Sequence, residues 1–114
     1  MALADLSTVR GVRDAVASGH ISAVEACSAA FDAIDARDPA LHAFNTIIKE
    51  EAIARAAQLD GLAPRDRGPL HGVPIALKDN LCTRGVRTTA SSRAFTRLSG
   101  AGPVRPFGRP RARP

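Results

Sequence analysis

The sequence has no tryptophan, no tyrosine and only four phenylalanines, so its core must rest on Ala, Val, Leu and Ile. That set suits helices and short buried strands, and it leaves few rings for stacking on a ligand. Two cysteines, Cys27 and Cys82, have neither a secretory context nor metal-ligand spacing. Neither a disulfide framework nor a cysteine metal site is expected, and two free thiols of a cytosolic protein are the better reading. No charged start leads into an apolar run, so no secretory signal is expected. No stretch approaches the roughly 20 apolar residues that a membrane span requires. At 114 residues the chain is at most one small domain with a modest core.

Acidic residues are also missing, but only from one end. Residues 1–93 hold eleven Lys/Arg and eleven Asp/Glu and sum to zero, whereas residues 94–114 hold five arginines and no acid. The whole net charge of +5 therefore belongs to Arg97, Arg105, Arg109, Arg111 and Arg113. This segment also carries four of the eight prolines and has neither a helical nor an alternating period. The expected organisation is a neutral body over residues 1–93 and a basic Pro/Gly/Arg-rich tail over 94–114, without regular structure.

The body reads as helix, helix, strand, helix, loop, strand. Ser7 can cap a first helix with Val9, Val12 and Val16 at helical spacing, and Gly19 ends it. Ser22 and Glu25 form an S-x-x-E capping box. Behind it Ile21, Val24, Cys27, Phe31 and Ile34 recur at three- and four-residue steps, which predicts one apolar face. Asp38-Pro39 is expected to stop that helix, because the residue before proline is pushed out of the α region. Ala43 to Ile48 is short, β-branched and apolar, and is predicted to be a strand. A third helix is predicted from about Glu50 to Leu59, and Gly61 to Gly72 has turn chemistry throughout.

The segment Gly68-Pro-Leu-His-Gly-Val-Pro-Ile-Ala-Leu-Lys-Asp-Asn80 carries the chemistry. Val73 to Asp79 is predicted to be a strand, with Val73, Ile75 and Leu77 on one face and Ala76 and Lys78 on the other. Pro74 lacks a donor and must lie near the strand's start or on an edge. A strand apolar on nearly both faces suits a sheet covered on both sides, and two strands cannot make such a sheet. Burial at the end of this strand would disfavour the charged form of Lys78 and leave an amine able to take a proton.

Gly68 to Asn80, followed by Thr83-Arg-Gly-Val-Arg-Thr-Thr-Ala-Ser-Ser-Arg93, resembles the amidase signature family. Ile21 to Cys27 and Asp38 to Asn45 extend the resemblance, which covers residues 5 to 93. Within that family the segments are most similar to the A subunits of aspartyl/glutamyl-tRNA amidotransferases. The resemblance implies a large α/β/α fold around a mixed sheet, of which this chain would be an N-terminal fragment with helices and two strands. It also implies a Ser–cis-Ser–Lys triad, in which one serine attacks an amide carbonyl and the other bridges it to the lysine. Lys78 is the one member that can be placed; the glycine- and serine-rich segment with both serines is absent, so this stretch alone is expected to be inactive.

By the same resemblance, glutamine or another small amide would be the substrate. B and C subunits would be the partners, and tRNA would be met only through them. No cofactor is expected in this chain, ATP and Mg being used by the partner subunit. The location would be cytoplasmic, away from membranes. Two alternatives stand beside this one: another amidase signature hydrolase acting on a small amide, and a non-catalytic RNA-binding or interaction module resting on the tail. For the latter, five arginines could neutralise phosphates, with only Phe95 and Phe107 to stack on bases. The abrupt change after Arg93 is also what a reading-frame slip in GC-rich DNA produces.

Other residues read plainly. Ser91 and Ser92 have no helix or strained turn to activate them and are expected to be loop serines. His71 and Cys82 lack an orienting third group. His20, His42 and His71 lack metal-ligand spacing.

Overall fold

Ser22 and Glu25 open the longest helix of the computed structural model, which describes residues 5–83 and 85–93. Glu25 N–H donates to Ser22 Oγ at 3.0 Å, and Ser22 N–H donates to Glu25 Oε2 at 2.7 Å. The predicted capping box is therefore formed in both directions. The chain divides after Ile75 into two compact units.

The first unit holds three helices, α1 (Val9–Ala17), α2 (Ala23–Leu41) and α3 (Lys49–Asp60), followed by a 3-10 turn at Pro64–Asp66. Thr8 caps α1 in place of Ser7, its Oγ1 accepting from Gly11 N–H at 3.0 Å. Ser7 turns instead to Asp5, whose carboxylate takes both its N–H and its hydroxyl. Gly19 ends the helix as expected, with φ at 73°. There Gly19 N–H donates to Val16 O at 3.1 Å and His20 N–H to Ala15 O at 2.9 Å, the paired bonds of a Schellman motif.

The apolar stripe of α2 packs on α3. Ala23, Cys27, Phe31 and Ala56 form the buried cluster, with Val24, Ile34, Ala52, Ile53 and Leu59 against it. The two helices run antiparallel, because contacts join each end of one to the opposite end of the other. At one end the Asp60 carboxylate reaches Ala23 and Val24. At the other, Lys49 Nζ bonds Asp35 at 2.9 Å and lies 5.7 Å from the centre of the Phe31 ring.

Two expectations fail within this unit. Asp38-Pro39 does not stop α2, which continues through Pro39 to Leu41. Proline there removes one bond, to the Asp35 carbonyl, in the exposed last turn, while Asp38 anchors the residues beyond the helix end. Its carbonyl accepts from His42 N–H at 2.7 Å, and its Oδ1 accepts from Ala43 at 2.7 Å and Phe44 at 3.2 Å. His42, left-handed with φ at 50°, is the actual stop.

The second failure concerns both strands. Ala43–Ile48 and Val73–Asp79 carry no strand, and among the described residues the only β-type pairing is an isolated antiparallel bridge, Thr83 with Val86. The described residues are helical, and the expected α/β character is not seen in them. A β-branched run becomes a strand only when a neighbour completes its ladder, and none of the described residues does so here. Phe44, Ile47, Ile48, Ile75 and Leu77 are accordingly exposed. The segment 94–114 lies outside the described residues.

Candidate active-site segment

The lysine segment spans the division of the chain. Its first half closes the first unit through two successive turns, His71 N–H donating to Gly68 O at 3.1 Å and Val73 N–H to Leu70 O at 3.2 Å. Gly72 is buried, has φ at 75°, and lies tight against Val16 and Ala23. The second proline-flanked glycine of the motif thus docks where α1 hands over to α2. An open depression of about 440 Å³ lies beside these turns, with Leu59, Leu62, Leu70 and Val73 as its apolar lining and Arg55 and Asp66 at its polar edge.

The second half belongs to the second unit. Lys78 is exposed, between Leu77, also exposed, and Asp79, half-buried. The expected burial of Lys78 in a strand is thus not found, for the reason that no strand forms around it. Its carbonyl accepts from Leu81 N–H at 2.9 Å, which turns the chain immediately after the lysine.

Asp79 organises the next loop. Its carboxylate accepts from Thr89 N–H at 2.7 Å and from the Thr89 hydroxyl, while its carbonyl accepts from Ala90 N–H at 2.9 Å. Thr89 Oγ1 in turn accepts from Ser91 N–H at 3.0 Å, and Thr89 O from Ser92 N–H at 2.8 Å. Thr88 beside them is buried. Ala90 and Ser91 both adopt left-handed backbone, φ at 47° and 55°. This geometry costs a non-glycine residue roughly 1–2 kcal/mol and persists only where neighbouring bonds hold it.

Sequence reasoning names Lys78 as the candidate and passes over Asp79 and Thr89, which hold the loop beside it. The signal available is the acid directly after the lysine; its partner ten residues on carries no local mark. Ser91 and Ser92 are exposed loop residues, as expected, but the expected lack of a strained turn does not hold at Ser91, whose backbone is left-handed. His71 and Cys82 stand in different units. Cys27 is buried and Cys82 exposed, both as free thiols, and burial pushes the Cys27 thiol up from its ordinary value. No group of His, Cys, Asp and Glu among the described residues can hold a metal ion. No helix among them is long and apolar enough to cross a membrane.

The Amidase family matches residues 25–99, a stretch that includes the whole lysine segment and the Asp79–Thr89 loop. The chain belongs to the amidase family. Three similar curated proteins carry the name of the A subunit of glutamyl-tRNA(Gln) amidotransferase. The protein of Picosynechococcus sp. is 43% identical over 90 residues, covering 77% of this chain and 19% of the relative. That of Moorella thermoacetica is 46% identical over 88 residues, covering 75% and 18%. That of Geobacter metallireducens is 42% identical over 94 residues, covering 82% and 19%. This amidase chain thus spans about a fifth of the length of the curated relatives it matches. No solved structure is significantly similar to it.

Proposed function

We propose that this chain is part of the glutamine-hydrolysing A subunit of a tRNA-dependent amidotransferase. The observation that carries the reading is the lysine segment Gly68–Asn80, which lies within the family match and within a chain whose similar relatives share that subunit's name. Lys78 is the proton acceptor. A bridging serine passes it the proton of a second serine, whose oxygen bonds to the side-chain amide carbon of glutamine. The C–N bond then breaks, ammonia leaves with a proton, and water cleaves the acyl ester to give glutamate. In the complete protein the ammonia goes to a B subunit that amidates Glu-tRNA(Gln) or Asp-tRNA(Asn), using ATP and Mg, with a C subunit completing the complex. The complete protein has the family's α/β/α fold, in which 43–48 and 73–79 become strands.

The 114 residues hold Lys78 but no counterpart of the glycine- and serine-rich segment, and the lysine is exposed. By themselves they hydrolyse no glutamine. Translation of the gene beyond codon 93 in all three frames is the first test, with a glycine- and serine-rich continuation expected. In the protein so extended, Lys78→Ala is expected to abolish glutamine hydrolysis. Retained hydrolysis in that variant, or activity on small amides without any on glutamine, would overturn the assignment.

A further inference from the structure

The carbonyls on both sides of the Asp79 Cα are tied down. Lys78 O accepts from Leu81 N–H at 2.9 Å, and Asp79 O accepts from Ala90 N–H at 2.9 Å. The Asp79 carboxylate adds the N–H and hydroxyl of Thr89. These bonds hold the peptide plane that follows the Lys78 Cα, which is one of the two planes that set how its side chain leaves the backbone, and the plane beyond it. They also join Asp79 to Thr89 and Ala90, so that this acid–threonine pair forms the base of a loop. A carboxylate beside a lysine would ordinarily be read as its ion-pair partner. Here the carboxylate accepts from Thr89, across the loop.

We propose that Asp79 is a positioning residue for Lys78, acting through Thr89 as a clamp on the loop base. The proposal rests on the reading of Lys78 as the proton acceptor. Asp79 holds the backbone of the lysine in place while leaving its amine to the serine it serves. Thr89 is required for its hydroxyl, which donates to the Asp79 carboxylate and accepts from Ser91 N–H, so that the left-handed pair Ala90–Ser91 is held as well. A reaction that transfers a proton to a long, flexible side chain depends on such fixing, because misplacement by about 1 Å can cost on the order of a hundredfold in rate.

The test uses the extended protein and two independent readouts. Asp79→Ala is expected to speed amide hydrogen exchange at Thr89 and Ala90 at least tenfold. It is expected to lower kcat for glutamine hydrolysis at least tenfold with KM within twofold. Thr89→Val should do the same to a lesser degree, and Thr89→Ser, which keeps the hydroxyl, should restore both values to within about threefold. Unchanged exchange in Asp79→Ala would overturn the clamp. Faster exchange with unchanged kcat would overturn the positioning role while leaving the clamp. If Lys78→Ala retained full activity, the functional reading would fail on its own, and exchange at Thr89 and Ala90 would still decide the clamp.

Discussion

The Asp60 carboxylate, at the last residue of α3, accepts the backbone N–H groups of Ala23 at 2.7 Å and Val24 at 3.1 Å, at the first two residues of α2. The start of α2 is thus capped twice. Ser22 and Glu25 satisfy two donors locally, and an acid more than thirty residues away takes two more, next to the partial positive charge of the helix terminus. Asp60→Ala leaves both N–H groups without that partner, in a part-buried setting. A loss of about 1–2 kcal/mol is expected, the size of a lost helix cap. Urea unfolding of the 114-residue chain measures it, and an unchanged midpoint would mean that water replaces the carboxylate at no cost.

Gly72 and Gly19 share the same backbone sign and differ in surroundings. A Cβ at Gly72 would stand 2.8 Å from Val16 Cγ1 and 3.0 Å from Ala23 Cβ, whereas one at Gly19 would meet nothing within 4 Å. Gly19→Ala is expected to cost the backbone term alone, about 1 kcal/mol. Gly72→Ala adds overpacking between α1 and α2, for about 2–4 kcal/mol in all. Thermal melts of the two variants side by side separate the two effects. Equal losses would show that Gly72 is not seated on the helices.

Hydrogen bonds from the Ser22 backbone and side chain hold the Glu25 carboxyl below the usual carboxylate range, against small opposing effects of desolvation and of Asp60. A depressed folded-state value means that the unfolded chain binds the proton more readily. The stabilisation is therefore complete at neutral pH, above the unfolded value of about 4.3, and is lost as pH falls through the lower folded value. Wild type and Glu25→Gln are expected to differ most near pH 7 and to converge towards pH 3. Parallel stability curves over that range would show that charge on Glu25 contributes nothing to the cap.

The sequence is legible where the chain decides its structure within a turn or two. The Ser22–Glu25 box, the Gly19 stop and the stripe Val24, Cys27, Phe31 and Ile34 are short-range patterns, and all three are present in the structure. Pro39 misleads because a proline one turn from a helix end sacrifices a single bond, and Asp38 supplies others. Composition alone argues for strands at 43–48 and 73–79, but a ladder needs partners, and the described residues offer none. Lys78 stands out through its segment. Asp60 and Asp79 do not, since the backbone donors they meet are 36, 37 and 10 residues away and carry no side-chain signature.

The antiparallel pair α2–α3 also fixes an order of assembly. Its helices are joined by only the stretch 42–48, so its contacts are local, and helical hairpins of this kind form far faster than sheets paired across long sequence separations. A ribosome adds only about 5–20 residues each second. The pair can therefore be complete soon after Asp60 leaves the exit tunnel, with Phe44, Ile47 and Ile48 still exposed at its turn. Those side chains then form an exposed apolar patch at the turn. A nascent chain stalled there would be a natural client for a chaperone that binds short apolar segments.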